Sequence, residues 1–126
     1  MKKTVGFGAF IAMAGGAAFA QDIPVPSGQP LAFLEFISED ASDVVRFRFL
    51  TPGIGTTHDY ATVFADFQML CDTQVLPVLT ANALTPSRIV MSMSAADIAF
   101  GEDDPDVLQF FEIFRPENGI CIWEEF

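Results

Sequence analysis

His58, the one histidine of the chain, stands beside Asp59, and an imidazole next to a carboxylate is the raw material of a general base. A small hydrolase or lyase built on His58 would need a nucleophile or a further carboxylate nearby, and no Gly-x-Ser-x-Gly elbow accompanies it. The structural role open to the same pair is a helix start, where the Asp59 carboxylate meets the positive end of the dipole. The run Glu102-Asp103-Asp104-Pro105-Asp106 offers the oxygens a hard cation such as Ca2+ prefers. Asp103, Asp104 and Asp106 would then ligate the ion of a Ca2+-stabilised module. The run lacks the ligand spacing, central glycine and closing glutamate of an EF-hand loop, so it reads more simply as acid at a helix N-terminus.

Arg46 and Arg48 alternate with Phe47 and Phe49, which sends both guanidiniums to one face of an extended segment. Arg88, in another extended run, could join them from a neighbouring strand. Such a cluster can grip a carboxylate or phosphate bidentately, making a small anionic ligand or a protein partner its occupant. The competing use is cross-strand pairing with Glu35 or Glu124. Cys71 and Cys121 are the only cysteines. They are too far apart in sequence for a redox motif and have no further soft ligands for a metal site, so an oxidising compartment would join them in a disulfide. Closing that loop stabilises a domain by about 4 kcal/mol in the chain-entropy model. No phosphate loop or other cofactor motif accompanies these sets, and no cofactor is expected.

The elements that must position these residues can be read from periodicity and turn chemistry. Residues 21–30 (QDIPVPSGQP) form a Pro-rich extended arm. Leu31 to Ile37 and Val44 to Leu50 read as strands, the second with clean alternation, joined by the polar cluster 38–43. From Tyr60 the apolar residues Val63, Phe64, Phe67, Leu70 and Cys71 recur at helical spacing, with Thr57 or Asp59 as N-cap and Pro77 ending the pattern. Arg88 to Ser94 gives a third strand. Asp104-Pro105 is expected to open a second helix, with Val107, Phe110, Phe111 and Phe114 as its stripe. Glu117-Asn118-Gly119 turns the chain into a last strand over 120–126. The expected class is therefore α+β: a four-stranded, mainly antiparallel sheet in the order β-β-α-β-α-β, two helices on one face, and one disulfide.

The first twenty residues look like an address. Lys2 and Lys3 precede the apolar stretch from Val5 to Ala14, and Ala18-Phe19-Ala20 supplies a small-x-small cleavage pattern. About ten apolar residues fall short of the roughly 20 that span a bilayer core. The expected division is a signal peptide over 1–20 cut after Ala20, the arm over 21–30, and a single α+β domain over 31–126, delivered to the periplasm or secreted. Cleavage would leave four arginines against 17 acids, a net charge of −13. That surplus argues against nucleic acid and anionic membrane surfaces as partners. No later stretch is long enough to embed the chain in a membrane.

Val25-Pro26-Ser27-Gly28-Gln29-Pro30, Arg46-Phe47-Arg48-Phe49, Leu70-Cys71-Asp72, Phe110-Phe111-Glu112 and Cys121-Ile122-Trp123-Glu124 resemble an uncharacterised family of short secreted alphaproteobacterial proteins. The resemblance implies an exported domain of unknown function and brings no activity, cofactor or catalytic residue with it. The reading that best fits all of these observations is an exported acidic binding domain, with the Arg46/Arg48 face as its first candidate site.

Overall fold

The computed structural model describes residues 22–39 and 43–125, so the expected signal peptide lies outside the described residues. Five strands form one sheet in the order β1-β2-β3-β4-β5, which is also their order along the chain. They are β1 (Ala32–Ser38), β2 (Val44–Leu50), β3 (Arg88–Ser94), β4 (Gln109–Glu117) and β5 (Ile120–Glu124). Helical backbone runs from Tyr60 to Ala81 as α1 (Tyr60–Leu70), a π turn over Cys71–Val75, and α2 (Leu76–Ala81).

This architecture corrects the expected one in three respects. There are five strands, not four. The sheet is mixed, because β2 and β3 pair in parallel while the other three pairs are antiparallel. A parallel pair needs a long crossover, and the helix between β2 and β3 is that crossover. Among the described residues there is one helical element, not two. The segment expected to be a second helix from Asp104 is a loop followed by β4, because its apolar residues also satisfy period two. Phe110, Glu112 and Phe114 face one side, paired with Met93, Met91 and Ile89, while Phe111 and Ile113 face the other. Propensity at a short apolar run cannot separate the two periods, and pairing with β3 decides for the strand.

The helix also runs past Pro77. A proline inside an α-helix lacks an N–H and collides with the carbonyl four residues back. Here the turn before it is widened, with the Leu76 N–H reaching the Cys71 carbonyl five residues back, and that π turn gives the ring room. Asp59 is the N-cap, its carboxylate accepting the Thr62 N–H at 2.9 Å.

The core lies between the helix and one face of the sheet. Val45, Phe47, Phe49, Ile89, Met91, Met93 and Phe114 from the strands meet Val63, Phe67, Leu70, Val75 and Leu79 from the helix. Cys71 and Cys121 are both buried and joined, with Cα atoms 6.1 Å apart, tying the π turn to β5. Asp72 and Gln68 flank the bridge: Asp72 Oδ1 accepts the Cys121 N–H at 2.9 Å and Gln68 Nε2 donates to the Cys121 carbonyl at 2.8 Å. Those main-chain groups lie on the free edge of β5, so the helix covers that edge locally. The hairpin from β4 to β5 turns at Asn118 and Gly119, both with positive φ (53° and 83°), as a two-residue turn between right-twisted strands requires.

The Pro-rich segment packs onto the same side. Asp66, fully buried on α1, accepts the Ser27 N–H at 2.9 Å, the Ser27 hydroxyl at 2.6 Å and Gln29 Nε2 at 2.8 Å. Three hydrogen bonds to one carboxylate hold this segment, whose Ile23 and Val25 also pack against the core.

Candidate functional site

The sheet face opposite the helix carries Glu35 and Ile37 of β1, Arg46 and Arg48 of β2, Val90 and Ser92 of β3, and Phe111 and Ile113 of β4. It is partly roofed by Ala95–Leu108, the strap that joins β3 to β4. The strap is closed at its base by the Ala95 N–H donating to the Leu108 carbonyl at 3.0 Å. A compact loop with its ends tied together in this way is an Ω-loop, a form often used at binding sites.

Two guanidiniums meet the strap from below. Arg48 is almost fully buried; it donates one nitrogen to Glu35 and another to the Ile98 carbonyl. Arg46 lies beneath the Phe100 ring, its guanidinium carbon 5.8 Å from the ring centroid. Its Nε is buried with no hydrogen-bond partner. Between the arginines, Ser92, Gln109 and the strap residues Ile98–Glu102 is a partly enclosed cavity of about 130 Å³. The arrangement offers planar donors, one of them unused, in a recess whose low-dielectric walls strengthen any hydrogen bond made there. Glu35 supplies one compensating negative charge and Glu102 stands at the strap side of the cavity.

Arg88 shares this face but is engaged elsewhere. Its Nε is 3.2 Å from Glu124, which also receives Arg115 at 3.2 Å, and Arg115 pairs with Glu117. Hydrogen bonding from Arg88, joined by Arg115, holds the Glu124 carboxyl below its ordinary range. Arg88 does not line the cavity at Arg46 and Arg48.

The other sequence-derived residues are not assembled into a reactive set. His58 Nδ1 is 2.9 Å from the Thr57 hydroxyl. Asp59 is committed to Thr62, whose hydroxyl and N–H bonds hold its pKa below the ordinary value. Asp104 accepts the Asp106 N–H at 3.0 Å within a turn, and among the described residues no group of three or more His, Cys, Asp or Glu side chains could hold a metal ion.

One constellation was missed from the sequence. Glu112, buried on the helix-facing side of β4, accepts the Trp123 Nε1–H at 2.6 Å and the Tyr60 hydroxyl. Partial desolvation first, then the hydrogen bond to Glu112, pushes the Tyr60 phenol up to about 12. The available signal was a glutamate at an inward position of the alternating run Phe110–Phe114, which a helical reading turns outward.

No helix among the described residues is long and apolar enough to cross a membrane. No curated protein and no solved structure matches this chain. A family match does exist, over residues 9–126, so nearly the whole chain belongs to a family of unknown function, DUF6497.

Proposed function

We propose that this domain is an exported binding module, without catalysis of its own, that holds a small carboxylate or similar anion between Arg46, Arg48 and the strap. The observation that carries the reading is the buried, unpartnered Nε of Arg46 beside a partly enclosed cavity. A buried donor left without an acceptor is costly, and an anion in the cavity would relieve it. The volume suits a group of a few non-hydrogen atoms, such as a carboxylate with a short stem or a phosphate. Export is supported by the disulfide, which favours an oxidising compartment, and by the leader-like first twenty residues.

The test is thermal denaturation and calorimetric titration with acetate, succinate and inorganic phosphate. A ligand at about 100 times its Kd should stabilise the fold by about 2.7 kcal/mol. Arg46→Gln should lose that response while leaving the unliganded melt nearly unchanged, since Arg46 makes no ion pair among the described residues. An absence of any shift with all three anions at tens of millimolar would sink the proposal.

A further inference from the structure

Glu112 is buried with neutral donors on both oxygens, and among the described residues no cation stands beside it. Each of the four arginines is engaged elsewhere: Arg46 at Phe100, Arg48 at Glu35 and Ile98, Arg88 at Glu124, and Arg115 at Glu117 and Glu124. Both lysines, Lys2 and Lys3, lie outside the described residues. A buried carboxylate is normally matched by an opposite charge, because hydrogen bonds from neutral groups replace its hydration only in part.

Directly over this acid lies a patch of exposed aromatic rings. Tyr60 packs edge-on against Phe110, with centroids 5.4 Å apart, and tilted against Phe64 at 5.7 Å, while Phe64 meets Trp123 edge to face at 5.6 Å. Tyr60, Phe64 and Trp123 are respectively 42%, 37% and 41% exposed. Large apolar side chains are normally scattered singly on a surface, so a contiguous aromatic group marks a contact site. The faces of these rings attract cations, and an uncompensated carboxylate beneath them adds to that attraction.

We infer that Tyr60, Phe64 and Trp123, backed by Glu112, form a docking platform for an arginine-bearing segment of a partner protein. Cavities of about 540 and 280 Å³ open elsewhere, so the platform suits a planar guanidinium laid flat on it and supported by its own chain, not an engulfed free cation. The charge of the chain points the same way: 17 acids against 6 basic residues select a basic partner and repel an acidic one. The site is separate from the Arg46/Arg48 cavity, on the other face of the sheet, and does not depend on it.

Trp123 is the only tryptophan in the chain, so its emission reports on the platform directly. The probe is a hexa-arginine peptide, titrated at about 0.15 M salt, where attraction between charges more than about 8 Å apart is screened. Saturable change in Trp123 emission is expected, weakened about tenfold in Glu112→Gln and in Phe64→Ala, as loss of a partly desolvated cation–π or charge contact implies. Asp103→Asn, in the strap, should bind as the parent does. Phe64→Ala removes an exposed ring and should keep the parental circular dichroism, so its result stands even if Glu112→Gln folds poorly. The inference is overturned if no saturable change occurs, or if Phe64→Ala binds as tightly as the parent. It is also overturned if Asp103→Asn weakens binding as much as the platform variants, or if arginine methyl ester alone saturates the signal at the concentration of the peptide.

Discussion

The two faces of the sheet are covered by opposite means. On one, the helix buries Phe47, Phe49, Phe67 and Phe114 and is tied to β5 through Cys71–Cys121, so cover and sheet share one apolar core. On the other, the strap rests on a hydrogen bond from Arg48 and a ring stacked over Arg46, with a cavity left between. Apolar burial is additive and non-directional, and it makes a cover that opens only with the whole fold. A cover held by a few polar contacts can open on its own. In a domain this small, the face covered by directional contacts is the one that can open without unfolding the core.

Breaking the cross-link should have the largest effect on the helix face. Replacing both Cys71 and Cys121 by Ala should lower the unfolding free energy in urea by about 4 kcal/mol. A loss below about 1 kcal/mol would mean that apolar packing alone holds that face. Next comes Asp66→Ala, which removes the acceptor of three hydrogen bonds and leaves half-buried donors on Ser27 and a buried one on Gln29. It should cost about 3 kcal/mol and expose the segment from Asp22 to Pro30 to proteolysis.

On the strap face, Arg48→Met should cost only about 1 kcal/mol globally, because its partner Glu35 is 45% exposed and can return to water. Hydrogen exchange should nevertheless speed up in Ala95–Leu108 and not in the helix. Equal acceleration in both would erase the contrast between the two covers.

Tyr60, the only tyrosine, sharpens the comparison from the alkaline side. Its phenol titrates near 12 in the fold against 10.0 ordinarily, so the neutral form is favoured by folding. That contribution is complete below pH 10 and disappears as pH rises toward 12. Absorbance at the phenolate band should show the raised midpoint, and Glu112→Gln should move it down. The smallest effect belongs to Glu124, whose pKa is lowered by Arg88 and Arg115. Its stabilisation is present above about pH 4.5 and is lost as pH falls further, so Glu124→Gln should flatten the acid limb of the melting curve slightly.

Much of the fold was legible locally. Val44–Leu50 alternates because one face is buried, and it is a strand over those residues. Arg88–Ser94 behaves likewise, and the helix begins where Asp59 caps it. The segment from Phe110 to Phe114 was not legible, because five residues with four apolar positions satisfy helix and strand templates alike. Pro77 misled for a related reason: a proline breaks a regular α-helix, but whether a wider turn absorbs it depends on what the helix is packed against. Of the arginines, Arg46 and Arg48 were recognised by their shared face. Pairing with Glu35 or Glu124 was legible as a competing use; which arginine each acid takes, and that the strap roofs Arg46 and Arg48, depended on strand order.

From its own residues, the chain determines its acidity, its cysteine pair, its alternating strands and the start of its helix, because each of these follows from chemistry within a few neighbouring positions. Only the tertiary structure decided the parallel pairing of β2 with β3, the strand identity of β4 and the burial of Asp66 and Glu112. These depend on contacts between segments tens of residues apart, where the free energy of packing outweighs local preference and no short window of sequence contains both partners.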